Sequence, residues 1–405
     1  MAPGARRMST MRGAPAVALA ILAWATCTSA QAPDGDIALG MSTALTGPAA
    51  QLGLNMRDGV LAALEEANRS GGLHGRPFHL IALDDGYEPS RTVPNMHALI
   101  DGHEVLAIVG NVGTPTAVSA VPIANAKQVA FVGAFTGAGV LRKTPPDRYV
   151  INFRASYAEE TAAMVEALVS HAGLALEEIG LFTQRDVYGD AGYTGAIEAM
   201  KRLGLESDQN IAHGRYERNT DAVENGLADI LGAATPVRAV IMVGAYEPCA
   251  LFIKLVREFE LDWLLLNVSF VGSEPLARAL GPPGEGVIIT QVVPHHQADL
   301  PLVVQYRGAL AALPDAPAPS FGSLEGYTVG RMLIRALAGA PTPLTREAVV
   351  DALEDLGTFD LGLGEPLRLG PQNHQASHRI WPTVIRGGGV VPFEWTELRK
   401  PEAGR

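Results

Sequence analysis

Two stretches rich in glycine and hydroxyls, Gly110-Asn111-Val112-Gly113-Thr114-Pro115-Thr116 and Gly133-Ala134-Phe135-Thr136-Gly137, each follow a short apolar run. Glycine lets a backbone turn tightly and approach a ligand closely. Thr114 reads as a helix N-cap, with Pro115 in the first helical position. The N–H groups at such a helix start suit a carboxylate. One turn of this kind is commonly a plain cap, but two on neighbouring strands make an anion-binding cleft. Leu45-Thr46-Gly47-Pro48 has the same character. Farther along, Tyr188 and Tyr246 each follow a predicted strand end, and Asn267-Val268-Ser269-Phe270 follows a third. The tyrosines would lay a ring and a phenol on a ligand from an opposite wall.

Bond-breaking chemistry is poorly served. No Gly-x-Ser-x-Gly elbow occurs, and the first predicted strand runs into Ser42-Thr43-Ala44-Leu45-Thr46-Gly47 rather than Gly-x-Gly-x-x-Gly. Cys249 lies in Tyr246-Glu247-Pro248-Cys249-Ala250, without an activating base, and reads as a buried structural thiol. His295 and His296, adjacent on an extended segment, should point to opposite sides with no third ligand nearby. His374 and His378 flank a segment without helical character. Gly387-Gly388-Gly389 reads as a hairpin turn, since neither Lys-Ser nor Lys-Thr follows it. The expectation is a chain that is not an enzyme and needs no metal or cofactor.

The elements that must hold these turns alternate between short apolar runs and longer helical patterns. Predicted strands 37–42, 78–83, 105–109 and 129–132 are separated by predicted helices, the last two of them over 92–101 and 115–126. The pattern restarts with strands 179–183, 237–243 and 264–266 and helices 159–171, 192–203, 222–231 and 250–258. Alternation of this kind argues for parallel βαβ units. The fold class expected is α/β, two doubly wound Rossmann-like lobes rather than one long sheet. In such sheets ligands bind beyond the carboxyl ends of the strands, where the glycine and hydroxyl turns lie.

The chain has 405 residues and a formal net charge of −12, which disfavours nucleic acid and anionic membranes as partners. Arg6, Arg7 and Arg12 precede an apolar stretch, Ala14 to Trp24, and a run of small residues ending at Ala30. Residues 1–30 therefore read as a cleaved secretory signal, too short in its apolar part for a membrane anchor. Lipidation of Cys27 is the alternative, which Trp24 and Thr26 fit poorly. Cleavage would leave Cys249 as the one cysteine, so no intrachain disulfide is expected.

Several motifs in order resemble the leucine/isoleucine/valine-binding protein family, the periplasmic receptors of branched-chain amino-acid ABC transporters. They are Leu45-Thr46-Gly47-Pro48, Gly71-Gly72-Leu73-His74-Gly75, Leu83-Asp84-Asp85-Gly86-Tyr87-Glu88-Pro89, the Gly110–Thr114 loop, Tyr188-Gly189 and Ser323-Leu324-Glu325-Gly326-Tyr327. The resemblance implies a type I periplasmic-binding fold with three hinge crossings, near 152–156, 291–295 and 377–380. Residues 33–153 and 294–377 would form lobe one, and 154–293 and 378–398 lobe two. It implies that Thr114, Ala134 and Thr136 hold the ligand head, while Val112, Gly113, Phe135 and Leu52 line the same wall. Tyr188, Tyr246 and Ser269 would close from lobe two, and Asp84 and Asp85 would serve a turn. It also implies a monomer in the periplasm that hands a small-molecule ligand to a membrane permease. A ligand-sensing module is the alternative role. One departure matters: Ser269 stands where amino-acid-binding members place an acid for the ligand ammonium. A serine cannot pair a buried ammonium, although Glu247, Glu274 or Glu325 could substitute. With Leu52, Phe135 and Phe270 adding apolar surface, the ligand expected is an apolar or aromatic carboxylic acid, or a larger hydrophobic solute, ahead of a plain α-amino acid.

Overall fold

Runs of β-branched and aliphatic residues build the centres of two sheets, and the sequence restarts once to build the second. The computed structural model describes Met1 and residues 35–398. The predicted signal over 1–30, Met1 apart, lies outside them. The first sheet collects β1 (Ile37–Thr43), β2 (Phe78–Asp84), β3 (Ala107–Val109), β4 (Ala130–Val132) and β5 (Val150–Ile151), all parallel, in the order β2-β1-β3-β4-β5. Between them run α1 (Ala50–Arg69), α2 (Pro89–His97) and α3 (Thr114–Ala126).

The chain then passes through α4 (Tyr157–Ser170) into β6 (Ile179–Gln184), α5 (Val187–Arg202), β7 (His213–Tyr216), α6 (Glu224–Leu231), β8 (Ala239–Val243), α7 (Tyr246–Glu258), β9 (Leu264–Asn267), α8 (Ser273–Leu280) and β10 (Ile288–Gln291). Strands β7-β6-β8-β9-β10 are parallel and repeat the strand order of the first sheet. Both β6 and β8 are buried along their whole length, as expected of parallel strands covered on both faces.

The chain next returns to the first lobe as α9 (Pro301–Ala311), α10 (Phe321–Ala338), α11 (Arg346–Glu354) and the small hairpin of β11 (Thr358–Phe359) and β12 (Leu367–Arg368). Helix α10 lies so close on α1 that a Cβ at Gly59 would stand 2.0 Å from the Ser323 carbonyl oxygen, and one at Gly326 2.4 Å from that of Met56. Only glycine permits this approach. Last come β13 (Trp381–Arg386) and β14 (Gly389–Pro392), antiparallel strands added to β10, with Gly387 and Gly388 forming their turn at positive φ.

The first and third passages between the lobes run side by side. Asn152 N donates to His374 O at 2.7 Å, Ala376 N to Asn152 O at 3.0 Å and Ser377 N to Phe153 O at 2.8 Å. Arg142 braces the pair, donating to Gln375 Oε1, to Arg154 O and to the carbonyls of Thr136 and Ala138. Among the described residues, no helix is long and apolar enough to cross a membrane.

Candidate ligand-binding crevice

The residues after β3 and β4 stay paired as they leave the sheet. Val112 and Phe135 form a parallel bridge, Phe135 N donates to Asn111 O at 2.7 Å and Gly113 N to Phe135 O at 3.2 Å. This ladder carries Val112, Gly113, Thr114, Ala134, Phe135 and Thr136 into one wall. The helix cap differs from the sequence expectation. Gly113, at φ 100, is the N-cap residue of α3, and Thr114 is the first helical residue, ahead of Pro115. The Thr114 hydroxyl is thereby released from capping and lies 2.6 Å from Thr136 Oγ1. Thr114 also borders a cavity that opens between α3 and α5, with Val118, Ala138, Val187 and Ala191 on its walls. Asp84 and Asp85 are spent on the neighbouring turn. Asp84 accepts from Leu45 N, the Thr46 hydroxyl, Gly86 N and Arg91, and Asp85 from Ser42, Tyr87 N and Thr92.

Lobe two meets this wall. Phe270, fully buried, stands 5.5 Å from Phe135 and 5.9 Å from Tyr87 between ring centroids, and 4.6 Å from Tyr188 behind it. Gln184 Nε2 donates to Tyr87 Oη at 3.2 Å, and Phe321 N donates to Glu274 Oε1 at 3.0 Å. At the rim, Arg218 and Asn219 donate to Glu88. The lobes are shut. A narrow void remains between them, bordered by Leu52, Phe135, Ser269, Gly272, Phe321 and Glu325.

Tyr188 and Tyr246 belong to the first turns of α5 and α7, not to loops as their flanking glycine and proline suggested. The Tyr188 hydroxyl is donated to Gly244 O at 3.3 Å, so its ring rather than its phenol faces Phe270 and Tyr157. Tyr246 is buried, and does not border the void between the lobes.

At the centre lies a charged cluster in which sequence reasoning reached Ser269 and Glu325 but missed Arg154 and Glu160. Arg154, on the first passage between lobes, is fully buried, with its guanidinium carbon 4.7 Å above the Phe135 ring. Its Nη2 bonds Ser269 Oγ and lies 3.6 Å from Glu160 Oε1. Glu160, in the first turn of α4, accepts from Ser269 N at 2.7 Å, Ser269 Oγ at 2.9 Å and the Thr290 hydroxyl at 2.6 Å. Ser269 is thus backed by an acid. Arg154 Nε faces Glu325 Oε1 at 3.7 Å. Burial pushes the Glu325 carboxyl up to about 7, against the pull of Arg154. Burial works against the Arg154 charge, but Glu325 and Glu160 outweigh it and hold the group more firmly protonated. Of the substitute acids considered for Ser269, Glu247 is exposed and Glu274 is engaged by Phe321 N and His296, which leaves Glu325 in the crevice.

The rings of His295 and His296 do not diverge; they stack with centroids 4.6 Å apart, because the chain leaves extended geometry after β10. Among the described residues no group of three or more His, Cys, Asp or Glu side chains stands where it could hold a metal ion. Cys249 is buried, and burial pushes its thiol far up, away from the reactive thiolate.

Two lobes of repeated topology around one crevice narrow the field, and a family model decides it: residues 36–389 match that of the periplasmic binding proteins. The chain belongs to this family. A Leu/Ile/Val-binding protein of Rhizobium johnstonii is 25% identical over 374 residues, covering 88% of this chain and 92% of its own. The crystal structure of a possible leucine/isoleucine/valine-binding protein from Rhodopirellula baltica is 52% identical with a TM-score of 0.88, over 90% of this chain and 98% of its own. A substrate-binding periplasmic protein from Ralstonia solanacearum is 26% identical with a TM-score of 0.80, over 88% and 100%. The fold is that of type I periplasmic binding proteins, and these relatives are named as binding proteins rather than enzymes.

Proposed function

We propose that this chain is an exported solute-binding protein that captures a small organic ligand between its lobes and delivers it to an ABC transporter permease, without chemical turnover. The observation that carries this reading is the crevice itself. Two strand-end turns, joined through Thr114 and Thr136, face an aromatic and hydroxyl-bearing wall from the second lobe. The ligand docks on lobe one, its anionic end at Thr114, Ala134 and Thr136. Lobe two then closes with Tyr188, Tyr246 and Ser269. In this reading residues 33–153 and 294–377 move against 154–293 and 378–398, and the ligand biases a hinge equilibrium by contacts made only in the shut form. The leader over residues 1–30 is removed on export to the periplasm, and the mature chain works as a monomer.

Leu52, Phe135 and Phe270 support an apolar or aromatic carboxylic acid as ligand, ahead of a plain α-amino acid. A thermal-shift screen over aromatic acids, aliphatic acids and amino acids tests this, because a specific ligand raises apparent stability. One class is expected to raise the Tm, with mass spectrometry recovering the compound intact. Conversion of the bound compound would overturn the reading, as would a flat screen.

A further inference from the structure

Arg154 is a buried cation with unspent donors. Its Nε and Nη1 have no hydrogen-bond partner, and neither has Glu325 Oε1, which is buried opposite Nε. Their 3.7 Å separation makes an ion pair but exceeds a hydrogen bond. A buried charged group left without hydrogen bonds is costly. The contrast with Glu160 is instructive, since that carboxylate is satisfied by Ser269 and Thr290. The void of the crevice runs past this spot. Phe135, Ser269 and Glu325, three of the groups around Arg154, all border it. A second guanidinium, that of the half-buried Arg142, donates to neutral oxygens, among them the Thr136 carbonyl.

The geometry points to Arg154, over the ring of the residue between Ala134 and Thr136, as a further receptor of the ligand's carboxylate beside those turns, with Glu325 as an internal stand-in that the ligand displaces. This rests on the crevice being the ligand site and adds the residue that sets its charge preference. A carboxylate admitted while the lobes are apart gives the free N–H groups of Arg154 the hydrogen bonds that Glu325 does not supply. Its apolar body then lies among Phe135, Phe270 and Leu52. An α-amino acid would bring an ammonium beside this cation, where Glu160 is already engaged by Ser269 and Thr290 and burial favours the neutral form of Glu325. Arg154 is thereby a specificity-determining residue.

Titration calorimetry with phenylacetate, hexanoate, phenylacetamide, L-phenylalanine and L-leucine tests this on the wild-type chain, Arg154→Gln and Glu325→Gln. The acids are expected to bind the wild type and the amide and amino acids to bind far more weakly. Arg154→Gln should lose roughly tenfold or more in acid affinity, the scale of a hydrogen bond to a charged group. Glu325→Gln should bind the acids more tightly, an increase that a merely structural role would not produce, and it keeps the test open where Arg154→Gln does not fold. Preference of the wild type for the amino acids or the amide would overturn the assignment and leave the crevice reading standing, as would loss of acid binding in Glu325→Gln. Binding of none of the five would count against the crevice reading and the assignment together.

Discussion

Thr114 and Thr136 hold each other across the ends of two neighbouring strands, their hydroxyl oxygens 2.6 Å apart. Thr136 Oγ1 also accepts from Ala138 N at 3.3 Å, so Thr114 is the partner with more to give a ligand. Thr114→Ala is expected to weaken ligand binding by about 1.5–3 kcal/mol, the range for a hydrogen bond to a charged group. Thr114→Ser should restore most of it. Calorimetric affinity equal to wild type in the alanine variant would remove this pair from the site.

Glu88 closes the rim of the crevice, accepting from Arg218 at 2.8 Å and Asn219 at 2.6 Å. Part-exposed contacts of this kind contribute about 0–1 kcal/mol to stability. They form only when the lobes meet, however, so their effect falls on the open–shut balance. Glu88→Ala is expected to leave the Tm nearly unchanged, enlarge the radius of gyration in solution scattering and weaken ligand affinity a few-fold. A scattering curve and affinity matching the wild type would show that the rim contacts do not hold the lobes.

Gly113 combines two constraints. Its φ is 100, and a Cβ there would stand 2.1 Å from Tyr87 Cε2. Gly113→Ala must strain the backbone and displace the Tyr87 ring, which also carries the bond from Gln184. The expected loss of stability is about 1–3 kcal/mol, the usual scale for a side chain forced into such a conformation. Calorimetric unfolding would measure it, and ligand affinity should fall alongside. An unchanged Tm would mean that the turn relaxes freely.

Two buried groups tilt stability in opposite directions with pH. Burial raises the Glu325 carboxyl from its ordinary 4.5 to about 7, so between those values the folded chain holds a proton that the unfolded chain has released. Its effect is that stability falls as pH rises through that window. Burial lowers His213 from 6.5 to about 4, so there the unfolded chain holds the extra proton and stability is lost as pH falls. Plots of Tm against pH should show Glu325→Gln losing less toward pH 7 than the wild type. His213→Gln should lose less toward pH 4. Two variants whose profiles parallel the wild type would refute both assignments.

The two α/β lobes and the lobe-one wall were legible because strand-end glycines and hydroxyls follow unbroken apolar runs, as at Gly110–Thr116. Strand β7 was not, because His213-Gly214-Arg215-Tyr216 alternates buried and half-buried positions without an apolar run. The starts of α5 and α7 were set too late because Gly189 and Pro248 look like helix breakers. Gly189 instead allows the turn to close on Gln184 O, where a Cβ would stand 1.8 Å away, and proline is tolerated in a first helical turn. Arg154 was invisible for a deeper reason. Nothing in Phe153-Arg154-Ala155 distinguishes a buried arginine from a solvated one, and Glu325 reaches it only through the return of the chain to the first lobe.

The packing of α1 against α10 has a consequence for how the chain acquires its shape. The glycine-lined seat on α1 is made early by the ribosome, but the helix that fills it follows all the parallel strands of the other lobe. That lobe in turn waits for β13 to cover the β10 edge. Neither half can finish before nearly the whole polypeptide has emerged, so assembly is dominated by contacts between distant segments and is correspondingly slow. A chain cut short before Trp381 would leave β10 as a bare edge, inviting pairing with other copies rather than a smaller working protein.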